Sequence, residues 1–421
     1  MYNVMNGVRV IEVAGYVSAP TAGAILADWG ADVLKIEHPV YGDPYRALRS
    51  GYIDPGRPNP MLELPNRGKR SVGVDLATDE GRALIYRLVE SADVFLTSFM
   101  TDALDRLQID YESLRKINPK IVFARSSGYG FRGPDANMPG FDGAAAWARA
   151  GLMHRLTDYT SADPAEMPGS VGDLTGALAL AAGIAAGLVQ RERTGEGTQV
   201  DIALFHMGIW LMSQTVGAAL VGIDPDTRRT PRLSPPNPLV NTYRTSDDRW
   251  LFFNLLQADR HWADFCNHVG VAELIDDPRF ANIDVRTTNS AELVKILDKV
   301  FGSHPLRYWR EQLETLDAVW SAAQTTVEVA ADRQAFEAGF FSDVTANDGS
   351  HFLSPASPVQ FGGEALGELR AMPELAQHTE EVLLEFGLSW DELVHLKDVG
   401  AISGGSAVDR IRPWRSPRDR S

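Results

Sequence analysis

One cysteine, Cys266, in a chain of 421 residues cannot form an intrachain disulfide, and it excludes thiolate-rich zinc or iron–sulfur sites. A cytoplasmic protein is expected. Basic residues are scarce: 40 Lys and Arg against 56 Asp and Glu leave a net charge of -16. That argues against a nucleic-acid or anionic-membrane surface, both of which need a basic field. Long apolar runs are also missing. The longest, Leu174 to Val189, falls short of the ~20 residues a bilayer span needs. The opening MYNVMNGVRVIEVAGY has no basic stretch leading into an apolar core, so neither export nor membrane insertion is expected. No HExxH, GxSxG or Walker A pattern occurs, and the nine histidines are scattered without metal-ligand spacing. Neither a metal centre nor a serine nucleophile is expected.

What is present is ordinary globular composition, 44% hydrophobic and 23% charged, in a chain long enough for two or three domains. Strand-like VRVIEV, helical APTAGAILADWG and strand-like ADVLKIEHP make a βαβ unit. RSVGVDL, the helix TDEGRALIYRLVESA with Thr78 as N-cap, DVFLTSF, a helix through LRKIN, and KIVFARSSG continue the alternation. Such alternation predicts a mainly parallel sheet with helices on its faces. The Pro- and Arg-rich residues 224–250 read as a linker into a second unit. The expected division is 1–205 for the first part of a large domain, 206–224 as a connection, 225–330 for a small domain and 331–421 for the return to the large domain with a loosely held basic tail.

Two motifs carry possible chemistry. GYGFRG, Gly128 to Gly133, is a literal GxGxxG after a strand, but Pro134 follows at once where a helix would have to begin to face a pyrophosphate. A glycine-rich turn is expected there. GSVGDLTGALALAAGIAAGL, residues 169–188, sets Asp173 at the start of a small-residue helix. Asp is a preferred N-cap. The same carboxylate beside Gly169, Gly172 and Gly176 is also open to a bulky electrophile, with backbone N–H groups to hold an oxyanion. Local pattern leaves both readings standing.

Several segments together resemble the class III CoA-transferases, the family of formyl-CoA transferase, carnitine and bile-acid CoA-transferases and alpha-methylacyl-CoA racemase. These are APTAGAILADWGADVLKIEHPVYGDPYR, NRGKRSVGVDL, INPKIVFARSSGYG, GDLTGALALAAGIAAGLVQRERTGEGTQVDIAL, NTYRTSDDRW and MPELAQHTEEVLLEFGLSWDEL, in family order nearly end to end. The resemblance implies an α/β fold with a Rossmann-like large domain built from both ends of the chain, a smaller α+β middle domain, and an interlocked homodimer. It implies transfer of CoA from an acyl-CoA to a small carboxylic acid, with Asp173 as covalent nucleophile and no metal. For CoA as substrate, the matching positions are His38, Val74, Asp75, Leu76, Ala77, Ser98, Phe99, Met100 and Arg106 around phosphate and adenine. Val17, Ser18, Met138, Pro139, Gly140 and Phe141 match the CoA arm and acyl end, and Lys69 and Arg70 are further cationic candidates.

Departures from the family pattern narrow the activity. SFMTD, Ser98 to Asp102, replaces an Asn-Phe-Arg-Pro-Gly turn, and His38 replaces a common Arg, so the phosphate contacts lose fixed cations. Phe141 stands where a racemase carries its second proton-transfer His, and Phe cannot exchange a proton. Val17 and Leu48 replace the Gln and Trp of the formyl-CoA:oxalate branch, and RLSPPNPLVN lacks that branch's glycine-rich loop. Apolar Val17, Leu48 and Phe141 suggest a larger, less polar acyl group, with Asp142 placed to position the acceptor. An acyl-CoA racemase or a non-catalytic acyl-CoA binding protein are the competing expectations.

Overall fold

The structure, a computed structural model, describes residues 2–48, 54, 56–158, 161–226 and 230–403. The chain forms two compact units, one of Met1–Gly217 with the chain from Gln334, the other of Ala218–Arg333.

In the first unit the β-branched runs become β1 (Arg9–Val13), β2 (Asp32–Glu37), β3 (Arg70–Gly73), β4 (Val94–Thr97), β5 (Val122–Ser127) and β6 (Thr198–Ala203). They form one sheet in the order β3-β2-β1-β4-β5-β6, every neighbouring pair parallel. Alternate residues feed two cores. Ile11, Leu34, Val72, Phe95 and Phe123 face one, and Val10, Val33, Val94 and Val122 face the other. A sheet buried on both faces needs nearly continuous apolar strands, which is what these segments are.

The first core is closed by the helix Asp79–Val89, capped by the Thr78 hydroxyl on the Gly81 N–H, and by Val382, Leu383, Leu393 and Leu396 from the C-terminal helices Thr379–Glu385 and Trp390–Asp398. The return of the chain is fixed at β3: the His378 N–H donates to the Ser71 carbonyl at 2.9 Å, and Ile402 bridges Val74. The second core is closed by the helices Ser18–Asp28 and Val171–Thr194 through Ala19, Ala22, Leu26, Ala177, Leu180 and Ile184. The 171–194 helix is long and apolar enough to cross a membrane by length and composition, yet its Ala177, Leu180, Ala181 and Ile184 are fully buried in this core.

The second unit has an antiparallel sheet of β7 (Val240–Arg244), β8 (Trp250–Asn254) and β9 (Trp320–Ala322). Helices Ala258–Val269 and Ser290–Phe301 close its aromatic core of Tyr243, Phe253, Trp262, Phe265 and Phe301. The 224–250 stretch is therefore not linker throughout. Asn241 and Tyr243 turn inward while their neighbours are less buried, a period-two pattern that Pro and Arg upstream obscured. The basic tail from residue 409 lies outside the described residues.

Candidate active site

In an open parallel sheet the ligand crevice lies beyond the carboxyl ends of the strands, where the strand order reverses. Here that point is between β1 and β4. A cavity of about 250 Å³ lies there, lined by Gly15–Ala19 after β1, Ser98–Thr101 after β4, Ser126–Gly128 at the end of β5, Phe131, Ala136, Met138–Phe141, Asp173 and Leu204. A larger open groove of about 800 Å³, lined by Arg57, Glu63, Asn347 and Met372 among others, contains none of the predicted site residues.

Asp173 is not the helix cap. The N-cap of the 171–194 helix is Ser170, without a side-chain cap bond, and Asp173 stands in the first turn. The capping is done from outside the helix by Asp142, whose carboxylate accepts the Gly172 N–H at 2.9 Å and the Asp173 N–H at 3.1 Å. Only glycine fits at 172, because a Cβ there would lie 2.4 Å from Asp142 Oδ1 and 2.4 Å from Ala146 Cβ. Those two N–H groups are thus engaged and are not free to hold an oxyanion. Asp142, 4% exposed, does not line the cavity; it anchors the turn that carries Asp173. The 18–28 helix, whose first residues do line the cavity, has no side-chain cap.

Burial, reinforced by the negative charge of Asp142, pushes the Asp173 carboxyl from 3.8 up to about 7. Burial also raises Asp142, against the two N–H bonds it accepts. Among the described residues no Lys, Arg or His lines the cavity, so none of them offsets this cost of ionisation. Around neutrality the acid is divided between its two forms.

Of the predicted residues, the fold brings Val17, Ser18, Ser98, Phe99, Met100, Met138, Pro139, Gly140, Phe141 and Asp173 to one cavity. His38, Val74, Asp75, Leu76 and Ala77 follow the carboxyl ends of β2 and β3 on the same edge of the sheet, outside the cavity lining. His38 Nδ1 accepts the N–H groups of Val40 and Tyr41, which places the ring proton on Nε2, 3.8 Å from Asp75 Oδ2. Burial lowers its pKa, only partly opposed by Asp75, so it offers a hydrogen bond where Arg would offer a charge. Arg106 is exposed near the end of the Thr101–Leu107 helix. Leu48, 46% exposed, is not part of the lining.

Two cationic candidates are corrected. Lys69 and Arg70 stand at the amino end of β3, opposite the edge where ligands bind. The Lys69 ammonium is buried, donating to Glu12 Oε2 at 2.6 Å and to the Pro20 carbonyl at 2.7 Å. Burial lowers its pKa to about 8 against the pull of Glu12. Arg70 is divided among Asp32, Glu381 and Glu385. Lys69 serves the interior of the fold, and Arg70 ties β2 to the 379–385 helix at the surface.

GYGFRG is the expected turn, with Gly130 and Gly133 in left-handed backbone. Gly128 does more: a Cβ there would lie 2.7 Å from the Gly140 Cα, so glycine at both positions lets the 138–141 loop close on the end of β5. Sequence reasoning missed Tyr16, Ser126, Phe131 and Leu204 in the lining. Ser126 is tied to Ser18 by a 3.0 Å hydroxyl contact, a pairing 108 residues apart that no local signal announces.

The profile of CoA-transferase family III matches residues 5–379. The chain is 32% identical over 396 residues to (R)-2-hydroxy-4-methylpentanoate CoA-transferase of Clostridioides difficile, covering 94% of this chain and 98% of that one. It is 31% identical over 403 residues to cinnamoyl-CoA:phenyllactate CoA-transferase of Clostridium sporogenes, covering 94% and 96%. Among solved structures, a CAIB/BAIF family protein from Brucella suis superposes with a TM-score of 0.76 at 28% identity, covering 92% of this chain and all of that one.

Proposed function

The chain belongs to CoA-transferase family III and is a CoA-transferase, and from that premise we propose that CoA passes through a thioester on Asp173. The single observation that carries this reading is the position of Asp173: a carboxylate raised to about 7 in the cavity at the sheet's switch point, with its own turn anchored by Asp142.

The ionised Asp173 attacks the acyl-CoA thioester carbonyl and expels CoA thiolate, leaving a mixed anhydride. The thiolate attacks the aspartyl carbonyl of that anhydride, releasing the first carboxylic acid as its carboxylate and forming the aspartyl-CoA thioester. An incoming carboxylate attacks the thioester carbonyl, re-forms an anhydride and again frees the thiolate, which takes the new acyl group and restores Asp173. A carboxylate with a raised pKa is a better nucleophile once ionised. Burial excludes the water that would hydrolyse either intermediate. In the uncapped first turn of the 18–28 helix, where Pro20 has no N–H and Thr21 is bonded to the Val17 carbonyl, the Ser18 and Ala19 N–H groups beside the cavity serve the oxyanion.

The acyl group of this proposal is bulky and apolar. Phe141, Val17 and Met138 line the cavity, with no cation for a second carboxylate among the described lining residues, and the two relatives are named for (R)-2-hydroxy-4-methylpentanoate and for cinnamoyl and phenyllactate groups. For CoA itself, His38, Asp75 to Ala77 and Arg106 are proposed around the nucleotide end. The assembly is proposed to be a cytoplasmic homodimer, supported by the exposed Trp210 and Leu211.

Transfer of CoA between acids by the wild type, lost in Asp173→Asn with CoA still bound, tests the reading. Phe141 at the cavity wall speaks against α-proton exchange. Deuterium uptake at the acyl α-carbon without transfer would overturn the proposal in favour of a racemase.

A further inference from the structure

Tyr16 has left-handed backbone, φ 66°, where a side chain with a Cβ is strained and glycine is not. The chain carries glycine next to it, at 15, and an aromatic ring at 16. That strain is held in place by buried polar groups. The Tyr16 N–H donates to Asp43 Oδ1 at 3.1 Å, and the Tyr45 N–H donates to the same oxygen at 2.9 Å. The other oxygen, Oδ2, accepts Lys35 Nζ at 2.9 Å, in an ion pair whose side chains are 0% and 1% exposed. Lys35 is itself fixed by Glu12 and by the Ala14 carbonyl, both at 3.2 Å. Asp43 is also tied through its own N–H to Glu37 Oε1.

The strain positions a ring. Tyr16 lies edge to face on Phe141, centroids 4.8 Å apart at 64°, and 6.3 Å from Tyr45. Tyr45 is near enough to Asp173 for its hydroxyl to be raised by that carboxylate, after burial. Tyr16 and Phe141 line the same cavity as Asp173 and Val17. Both remain partly open, at 38% and 59% exposure, so their faces have apolar area left for a ligand. An edge-to-face pair presents flat, polarisable surface that rewards an aryl or branched chain. Among the described lining residues a second carboxylate would meet Asp173 and no cation.

We propose that Tyr16 is a specificity-determining residue for the acyl group: its ring, set by the buried Asp43–Lys35 pair, forms with Phe141 an aromatic wall that favours branched or aryl acyl-CoA over acetyl- and succinyl-CoA. The proposal rests on the transferase reading with Asp173 as nucleophile.

The test measures kcat/KM for 3-phenylpropanoyl-CoA, 4-methylpentanoyl-CoA, acetyl-CoA and succinyl-CoA in the wild type, Tyr16→Gly and Phe141→Ala, with thermal unfolding and hydroxylamine trapping at Asp173 alongside. Glycine accepts the left-handed backbone, so the unfolding midpoint of Tyr16→Gly is expected at or above that of the wild type. The bulky-to-acetyl ratio is expected to fall about tenfold or more in both variants, the discrimination an apolar pocket supplies. An unchanged ratio in Phe141→Ala and Tyr16→Gly, with trapping at Asp173 intact, overturns the role of Tyr16 and leaves the transferase mechanism standing. No trapping at Asp173 in the wild type with any donor overturns the mechanism, and the proposal with it.

Discussion

Replacing Asp173 with Asn removes a charge and keeps the shape, and it separates a nucleophile held in an unfavourable site from a stabilising cap. The folded-state pKa, about 7, lies above the ordinary 3.8, so the unfolded chain releases this proton first as the pH rises. Wild-type stability therefore falls between about pH 4 and pH 7 through this group and stays level above. The full difference corresponds to ~4 kcal/mol at 1.36 kcal/mol per tenfold. A half-buried carboxylate recovers part of that by turning toward water, so ~1–3 kcal/mol is expected. Asparagine has no proton to release and keeps the N–H that Asp142 accepts. Denaturant unfolding of both proteins from pH 4 to pH 8 should show Asp173→Asn gaining on the wild type through that window, to a plateau of ~1–3 kcal/mol by pH 8. Groups common to both cancel in the difference. A variant less stable than wild type at pH 8 would return Asp173 to a structural role at the helix terminus.

Further outcomes follow from the same geometry. Gly172→Ala drives a Cβ to 2.4 Å from Asp142 Oδ1; a loss of ~1–3 kcal/mol by denaturant unfolding is expected, together with lower transferase activity, and an unperturbed protein contradicts the anchoring role of Asp142. Asp142→Asn removes a negative charge that raises Asp173, so the pH dependence of Asp173 acylation should move to lower pH; an unmoved profile leaves burial as its only cause. Lys69→Met removes from the buried Glu12 the closer of its two charged partners among the described residues, for which ~3–5 kcal/mol of destabilisation is expected, while CoA affinity in the folded protein should change little. Isothermal titration with CoA checks the second part, and a large loss of affinity restores Lys69 to the CoA site.

The parallel sheet was legible because buried strands read as apolar runs and helices carry caps such as Thr78, while the return of the chain came with the family resemblance. β7 was hidden because two residues of alternation, Asn241 and Tyr243, follow a proline-rich stretch that dominates the composition. Val17 and Ser98 were marked by the family resemblance and not by local pattern; the fold places them in the loops that follow β1 and β4. Lys69 and Arg70 misled because sequence shows charge and not the end of the strand on which the charge stands. The anchoring of Asp173 by Asp142 spans 31 residues, and the setting of Tyr16 by Asp43 spans 27. Neither leaves a local pattern, since each depends on how separate loops meet above one sheet edge.

The most direct measurement is peptide mass spectrometry of the protein incubated with a bulky acyl-CoA and then hydroxylamine. A hydroxamate on Asp173 is expected, formed in the wild type more readily above pH 7 than at pH 6 and absent from Asp173→Asn. Steady CoA transfer between acids with Asp173 unmodified at every pH would contradict it.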